Sequence, residues 1–294
     1  MALLLAGDRL TRSTLDAAQT GGNWQCNAAR SAGTIAVSMP NTTPSSSSAE
    51  TPIVLKPLGW RDPLRWLALG WLDFRRAPGI GLFYGAAFTI MGWALAKVYE
   101  AAPAYVMALA AGFLLMGPVL CLGLYHVSRA LERGDKPSFG GSLLAFEDRL
   151  GPLAIFGLVL LVLEMLWGRA TLVIFAVSFD GMPDFKGSLR ALLEPQNIGF
   201  IAAWLAVGAV FAGLIFSISV ISIPMLLDRP VDAITAALTS LRLVLTQTGV
   251  MLWWGALISV LVVAAMLPWF AGLLIVAPVL GHASWHAYRG AVRA

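Results

Sequence analysis

Six stretches of this chain, residues 79–99, 104–128, 152–178, 198–227, 249–267 and 269–288, run nearly without charge. An apolar stretch of roughly twenty residues coils into a helix of about 30 Å, the thickness of the hydrocarbon core of a bilayer. That one property decides what the chain can become. Composition agrees, with 58% hydrophobic and only 12% charged residues and a mean hydropathy of +0.77. A soluble domain carries roughly 25% charged residues, so the deficit excludes a soluble core. The expected fold is an all-α polytopic membrane protein with six transmembrane helices over residues 53–294.

The spans are not independent of one another. AGFLLMGPVLCLGLYHVSR (111–129) aligns without a gap to AGLLIVAPVLGHASWHAYR (271–289). GIGLFYGAA (79–87) aligns with GVMLWWGAL (249–257). Spans one and two thus correspond to spans five and six. Gly151 and Gly157 repeat the spacing of Gly249 and Gly255, which extends the pattern to span three. Three hairpins are expected, the middle one most diverged, arranged about an axis along the membrane normal. Each even-numbered span has one interior proline, Pro118, Pro224 or Pro278, and kinked even helices would open space between units.

Each hairpin is preceded by a segment with apolar residues at i, i+4, i+7 and i+11. These are Trp60, Leu64, Leu67 and Trp71, then Phe139, Leu143, Phe146 and Leu150, then Ile234, Leu238, Leu241 and Leu245. The spacing puts one apolar stripe on a helix. It fits either short helices lying in the membrane interface or ordinary connecting helices. Ser138 and Asp232 are suitable N-caps for the second and third of them.

Lys and Arg fall mostly on one side. Thirteen, from Lys56 to Arg293, lie in loops at the side of the chain ends, against Lys97, Arg169, Lys186 and Arg190 at the other. The bias places both termini in the cytoplasm of an inner (plasma) membrane protein. Residues 1–52 contain NTTPSSSSAETP (41–52) and bury too little apolar surface to order themselves, so a disordered tail is expected. Met39 is an alternative start. MALLLAGDRL is too short in its apolar run for a signal peptide. The net charge of +4 is spread over loops, so nucleic acid is not an expected partner. The two cysteines, Cys26 and Cys121, imply no disulfide framework.

Candidate functional residues are few. Glu164 falls near the middle of span three, about 17 Å from its start at ~1.5 Å per residue. A carboxylate at that depth is costly and points to function, unless it only fixes helix packing. It needs a partner on another span or a proton. Arg169 is five residues on, rotated by ~140°, so it snorkels outward instead of pairing. His282 and His286 share one face of span six, and His126 is the repeat-mate of His286. Two or three histidines, with Glu132 a loose further candidate, fall short of a metal set. They suit contacts to headgroups, water or backbone carbonyls, and neither metal nor other cofactor is expected.

GWLDFRRAPGIGLFYGAAF, AGFLLMGPVLCLGLYHVSRALERGDKPSFGGSL, LWGRA and APVLGHASWHAYR together resemble the bacterial integral membrane family known as domain of unknown function 2189, over roughly residues 60 to 290. The resemblance implies a six-span inner-membrane protein and carries over no activity or site. The expected function is a non-enzymatic accessory or scaffold component of a membrane complex, with the lipid bilayer, a membrane protein or a second copy as partner. The alternative is a small-solute or proton-linked transporter or channel using Glu164. A membrane enzyme, which would need metal-bound histidines, ranks last.

Overall fold

The computed structural model describes residues 53–101, 106–178 and 198–293 of the chain. The expected tail over 1–52, with Met39, and the charged connection over 179–197 lie outside the described residues. Among the described residues, ten helices and one 3-10 turn follow in order. They are α1 (Asp62–Arg76), α2 (Pro78–Ala101), α3 (Val106–Arg133), α4 (Phe139–Leu143), the 3-10 turn Glu147–Arg149, α5 (Leu150–Ser178), α6 (Ile198–Ser219), α7 (Ser222–Asp228), α8 (Ala233–Thr246), α9 (Thr248–Met266) and α10 (Leu273–Ala291). Among the described residues there is no strand, only an isolated bridge between Leu55 and Val292. That bridge brings the segment before α1 onto the end of α10, where Lys56 N–H also donates to the Ala291 carbonyl at 2.8 Å. The bundle therefore has a terminal end, where these segments meet, and a far end.

Local chemistry explains the boundaries. Pro78 opens α2, a position where a missing N–H costs nothing. Ser138 Oγ accepts from Gly141 N–H and caps α4, and Asp232 accepts from the N–H groups of Ile234 and Thr235 to cap α8, as the sequence predicts. The cap hydrogen bonds hold the Asp232 carboxyl below the usual carboxylate range. Pro118 and Pro278 lie inside α3 and α10. Pro224 acts differently: the apolar stretch turns at Val220 and Ile221, so α6 and α7 are separate helices with Pro224 in the first turn of the second.

Among the described residues, four stretches are long and apolar enough to cross a membrane: Pro78–Ala101, Leu150–Ser178, Ile198–Asp228 and Thr248–Met266. They coincide with the first, third, fourth and fifth expected spans. The sixth expected span, α10, differs in character. Its second half carries His282, Trp285, His286, Tyr288 and Arg289, and more than half of its residues are buried. It is the centre of the bundle, packed on α1, α2, α3 and α9. In contrast, α6 has no buried residue and α5 only Phe156.

The short helices use a face that hydropathy does not mark. Leu64, Trp71, Ile234, Leu238 and Leu245 of the expected stripes are exposed on the outside of the bundle. Inward contacts come from Trp66, Gly70, Asp73 and Phe74 of α1, and from Ala233, Ala236, Ser240 and Leu243 of α8. Close helix approach selects small residues there. A Cβ on Gly70 would lie 2.6 Å from the Val279 carbonyl oxygen, and one on Gly85 of α2 only 2.0 Å from that of Leu274. α10 touches both neighbours backbone to backbone.

Gly85→Val should therefore force α2 off α10 and lower stability by about 1–3 kcal/mol, the usual cost of overpacking. Gly79→Ala, with nothing within 4 Å of the new methyl, should leave stability equal or better. Thermal unfolding of both variants in one mild detergent makes the comparison.

Candidate functional site

Two polar assemblies lie toward the terminal end of α10. The first joins α1, α3 and α10. Asp73 is only 4% exposed, and its Oδ2 lies 2.7 Å from His286 Nε2, a salt bridge whenever the imidazole is protonated. One turn earlier His282 is fully buried. Its Nδ1 is 2.8 Å from Ser128 Oγ of α3, while Nε2 has no hydrogen-bond partner. His126 is half-buried and sits elsewhere, with its Nε2 3.1 Å from where a Cβ on Gly141 of α4 would be. The three histidines are thus not brought to a common point. Among the described residues no group of three His, Cys, Asp or Glu side chains could hold a metal ion.

The second assembly ties together the ends of α3, α7 and α10. Arg289 donates from Nε to Glu132 Oε1 at 3.0 Å, and Trp285 Nε1 donates to Glu132 Oε2 at 3.1 Å. Asp228 accepts from the Tyr288 hydroxyl at 2.8 Å and lies 3.6 Å from Arg129 and 3.7 Å from Arg289. Arg229 completes it, bonding the Tyr288 hydroxyl and the Arg293 carbonyl. Glu132 thus belongs to an ion network and not to a metal site. Asp73 and Asp228 are the residues that sequence reasoning misses. Beside Arg75 and Arg76, or beside Arg229, each reads as a solvated loop charge.

Beyond this network, toward the far end, lies a cavity of about 710 Å³. Every long helix lines it: Phe88 from α2, Phe113 and Tyr125 from α3, Leu161 and Glu164 from α5, Ser219 from α6, Ile258 from α9 and Ser284 from α10, with Phe270 from the turn between α9 and α10. Its walls are almost wholly apolar. Their serine hydroxyls are engaged locally, Ser219 Oγ donating to the Ile215 carbonyl and Ser284 Oγ to that of Leu280. Among the described residues Glu164 is the only Asp, Glu, Lys or Arg in the lining, and it makes no hydrogen bond or ion pair with any of them. Arg169 is exposed on α5, likewise without an ion-pair partner among the described residues.

A bundle of long apolar helices held by buried polar contacts around an apolar cavity defines an integral membrane protein. Residues 106–228, from the start of α3 to the end of α7, match the family described as predicted integral membrane protein (DUF2189). The match lies inside the region over which the sequence resembles that family. No curated protein and no solved structure matches the chain.

The two kinds of carboxylate should respond differently to removal. Asp73→Ala leaves the part-buried His286 imidazole without its partner and should cost about 1–3 kcal/mol of stability. Glu164→Gln breaks no contact among the described residues and should change stability by less than about 0.5 kcal/mol. Thermal unfolding of the two variants beside the parent protein checks both values.

Proposed function

We propose that this chain is a six-span inner-membrane protein of three hairpin repeats that binds a small solute in its central cavity and passes it across the bilayer, with Glu164 as the charge of the site. The observation that carries the reading is the cavity itself, lined by all six long helices around a single unpaired carboxylate. Intramembrane ionisable groups that face a cavity commonly mark solute pathways. A cavity of this volume is within the roughly 300–1,000 Å³ of ligand pockets.

The contact pattern supports the repeat. The helix before each hairpin packs on the last long helix of another unit: α1 on α10, α4 on α3, and α8 on α6. Followed around, the three contacts form a closed ring. The repeat-mates His126 and His286 each face such a short helix, α4 and α1 respectively. α3 is 28 residues long and carries no charge over 106–128, which suits the second span. α10, shielded by its neighbours, would be the sixth. The exposed stripes of α1 and α8 suit helices lying against the interface, and the Lys and Arg bias suits a cytoplasmic terminal end.

The function in this reading is binding and transport and not catalysis. The accessory or scaffold reading expects outer faces that bury against another protein. The apolar outer faces of α5 and α6 meet that expectation, but lipid contact alone requires them too, and the scaffold reading leaves the cavity unexplained.

The test uses single cysteines in a chain with Cys26→Ser and Cys121→Ser. Ser219→Cys, in the cavity wall, should react with small charged methanethiosulfonates from at least one face of membrane vesicles. Ala236→Cys, fully buried between helices, should stay silent until the protein is denatured. Equal silence at both positions in the folded protein would mean a closed, packed bundle and end the transport reading.

A further inference from the structure

The cavity has a side opening as well as a charge. A groove of about 470 Å³ runs between α3 and α5 and shares Pro118, Leu160, Leu161 and Ile223 with the central cavity. Its outer rim includes Val119 and Leu158, which are exposed on the side of the bundle. In a bilayer that side faces acyl chains. The opening has a local cause, since Pro118 has no N–H for the α3 ladder and fits no straight helix. An added Cβ at the neighbouring Gly117 would meet nothing within 4 Å.

We propose that the ligand of the central cavity is a hydrophobic cation, an ammonium or phosphonium on an alkyl or aryl body, and that it enters from the bilayer between α3 and α5. The inference rests on the reading that the cavity binds a solute, and adds the chemical class and the route. Charge complementarity sets the class. Glu164 is the one charged side chain among the described lining residues and has no partner among them, and an ionised carboxylate among apolar walls needs a counter-cation. An anion would meet repulsion there. A sugar or other polyhydroxy solute would lose its hydration and find few partners beyond Glu164, because the serine hydroxyls already donate to their own helices. The remaining wall, with Phe88, Phe113 and Phe270, suits an apolar body and the faces of aromatic rings attract cations. The route follows from the groove. Its lining is as apolar as the lipid, so a molecule dissolved among acyl chains crosses Leu160 and Leu161 to Glu164 without meeting a polar barrier.

Equilibrium dialysis of the full chain in lipid nanodiscs, with tetraphenylphosphonium as the probe, tests the class. Binding should saturate at one site per chain and weaken at least tenfold in Glu164→Gln. Glu164→Asp, which keeps the charge, should retain most of it, and tetraphenylborate, of the same shape and opposite sign, should not bind saturably. Leu158→Trp, which fills the outer groove, should slow association several-fold with little change in affinity. Equal probe binding by the parent protein and Glu164→Gln, or equal binding of the two probes, overturns the proposal. So does a cavity that holds only bilayer lipid and excludes the probe. An unchanged association rate in Leu158→Trp removes the route. If any of these occurs while Ser219→Cys is reactive, the solute-binding reading stands and only the ligand class or route falls. If Ser219→Cys is silent, both fall together.

Discussion

In lipid, helices gain nothing from hiding apolar surface from one another, because the tails around them are equally apolar. Something else must hold a membrane bundle together, and here it is the close seating of α10 against α1 and α2. The glycines at positions 70 and 85 let backbones touch where any side chain would collide. Ala283 on α10 lies against Gly70, and Ala287 one turn on is also buried. Dispersion between closely packed chains then supplies what the hydrophobic effect does not. The polar partners of α10, with Asp73 on His286, Ser128 on His282 and Glu132 on Arg289, add directional bonds that fix its rotation.

That arrangement divides the bundle into two levels. Toward the terminal end, large side chains and ion pairs fill the interior, with Trp285 and Tyr288 at the centre of the network. Beyond them lies the cavity that holds Glu164, lined by large apolar side chains such as Phe88, Phe113 and Phe270 together with Pro118 and a few small residues. The same helix therefore provides a filled base and one wall of an empty chamber. Fixing α10 tightly at its polar half is what leaves the chamber with a defined shape, as the α5–α6 pair buries little of its own surface.

Much of this was legible beforehand, for local reasons. Charge depletion over a span-length window marks a helix in lipid, and four of the expected spans have the length and composition to cross a membrane. Ser138 and Asp232 were readable as caps because capping needs only the next three residues. Glu164 was visible as a carboxylate with no neighbour to spend its charge on. The apolar stripes on α1 and α8 lie mostly on the outside, whereas the stripe over 139–150 is divided among α4, a 3-10 turn and the start of α5. Hydropathy marks what avoids water, and in a membrane protein that includes the surface. The contacts that matter run through Gly70, Ala236 and Ser240, whose smallness carries no hydropathy signal. Asp73 and Asp228 were missed because their basic neighbours in sequence disguised them as solvent-facing charges.

The sequence by itself determined that the chain is a helical membrane protein and roughly where most of its long apolar helices lie. It also marked which rare polar residue lies among apolar ones. These properties depend on periods of a few residues and on the cost of charge in hydrocarbon, and both are local. Only the tertiary structure decided that α10 is the hub and that Asp73 meets His286, 213 residues away. It also decided that Glu132 and Asp228 form one ion network and that Glu164 faces a chamber instead of a neighbouring helix. Those facts depend on which helix faces turn toward one another. That choice is made by backbone contact at small residues and by bonds between distant chain segments, which no local pattern records.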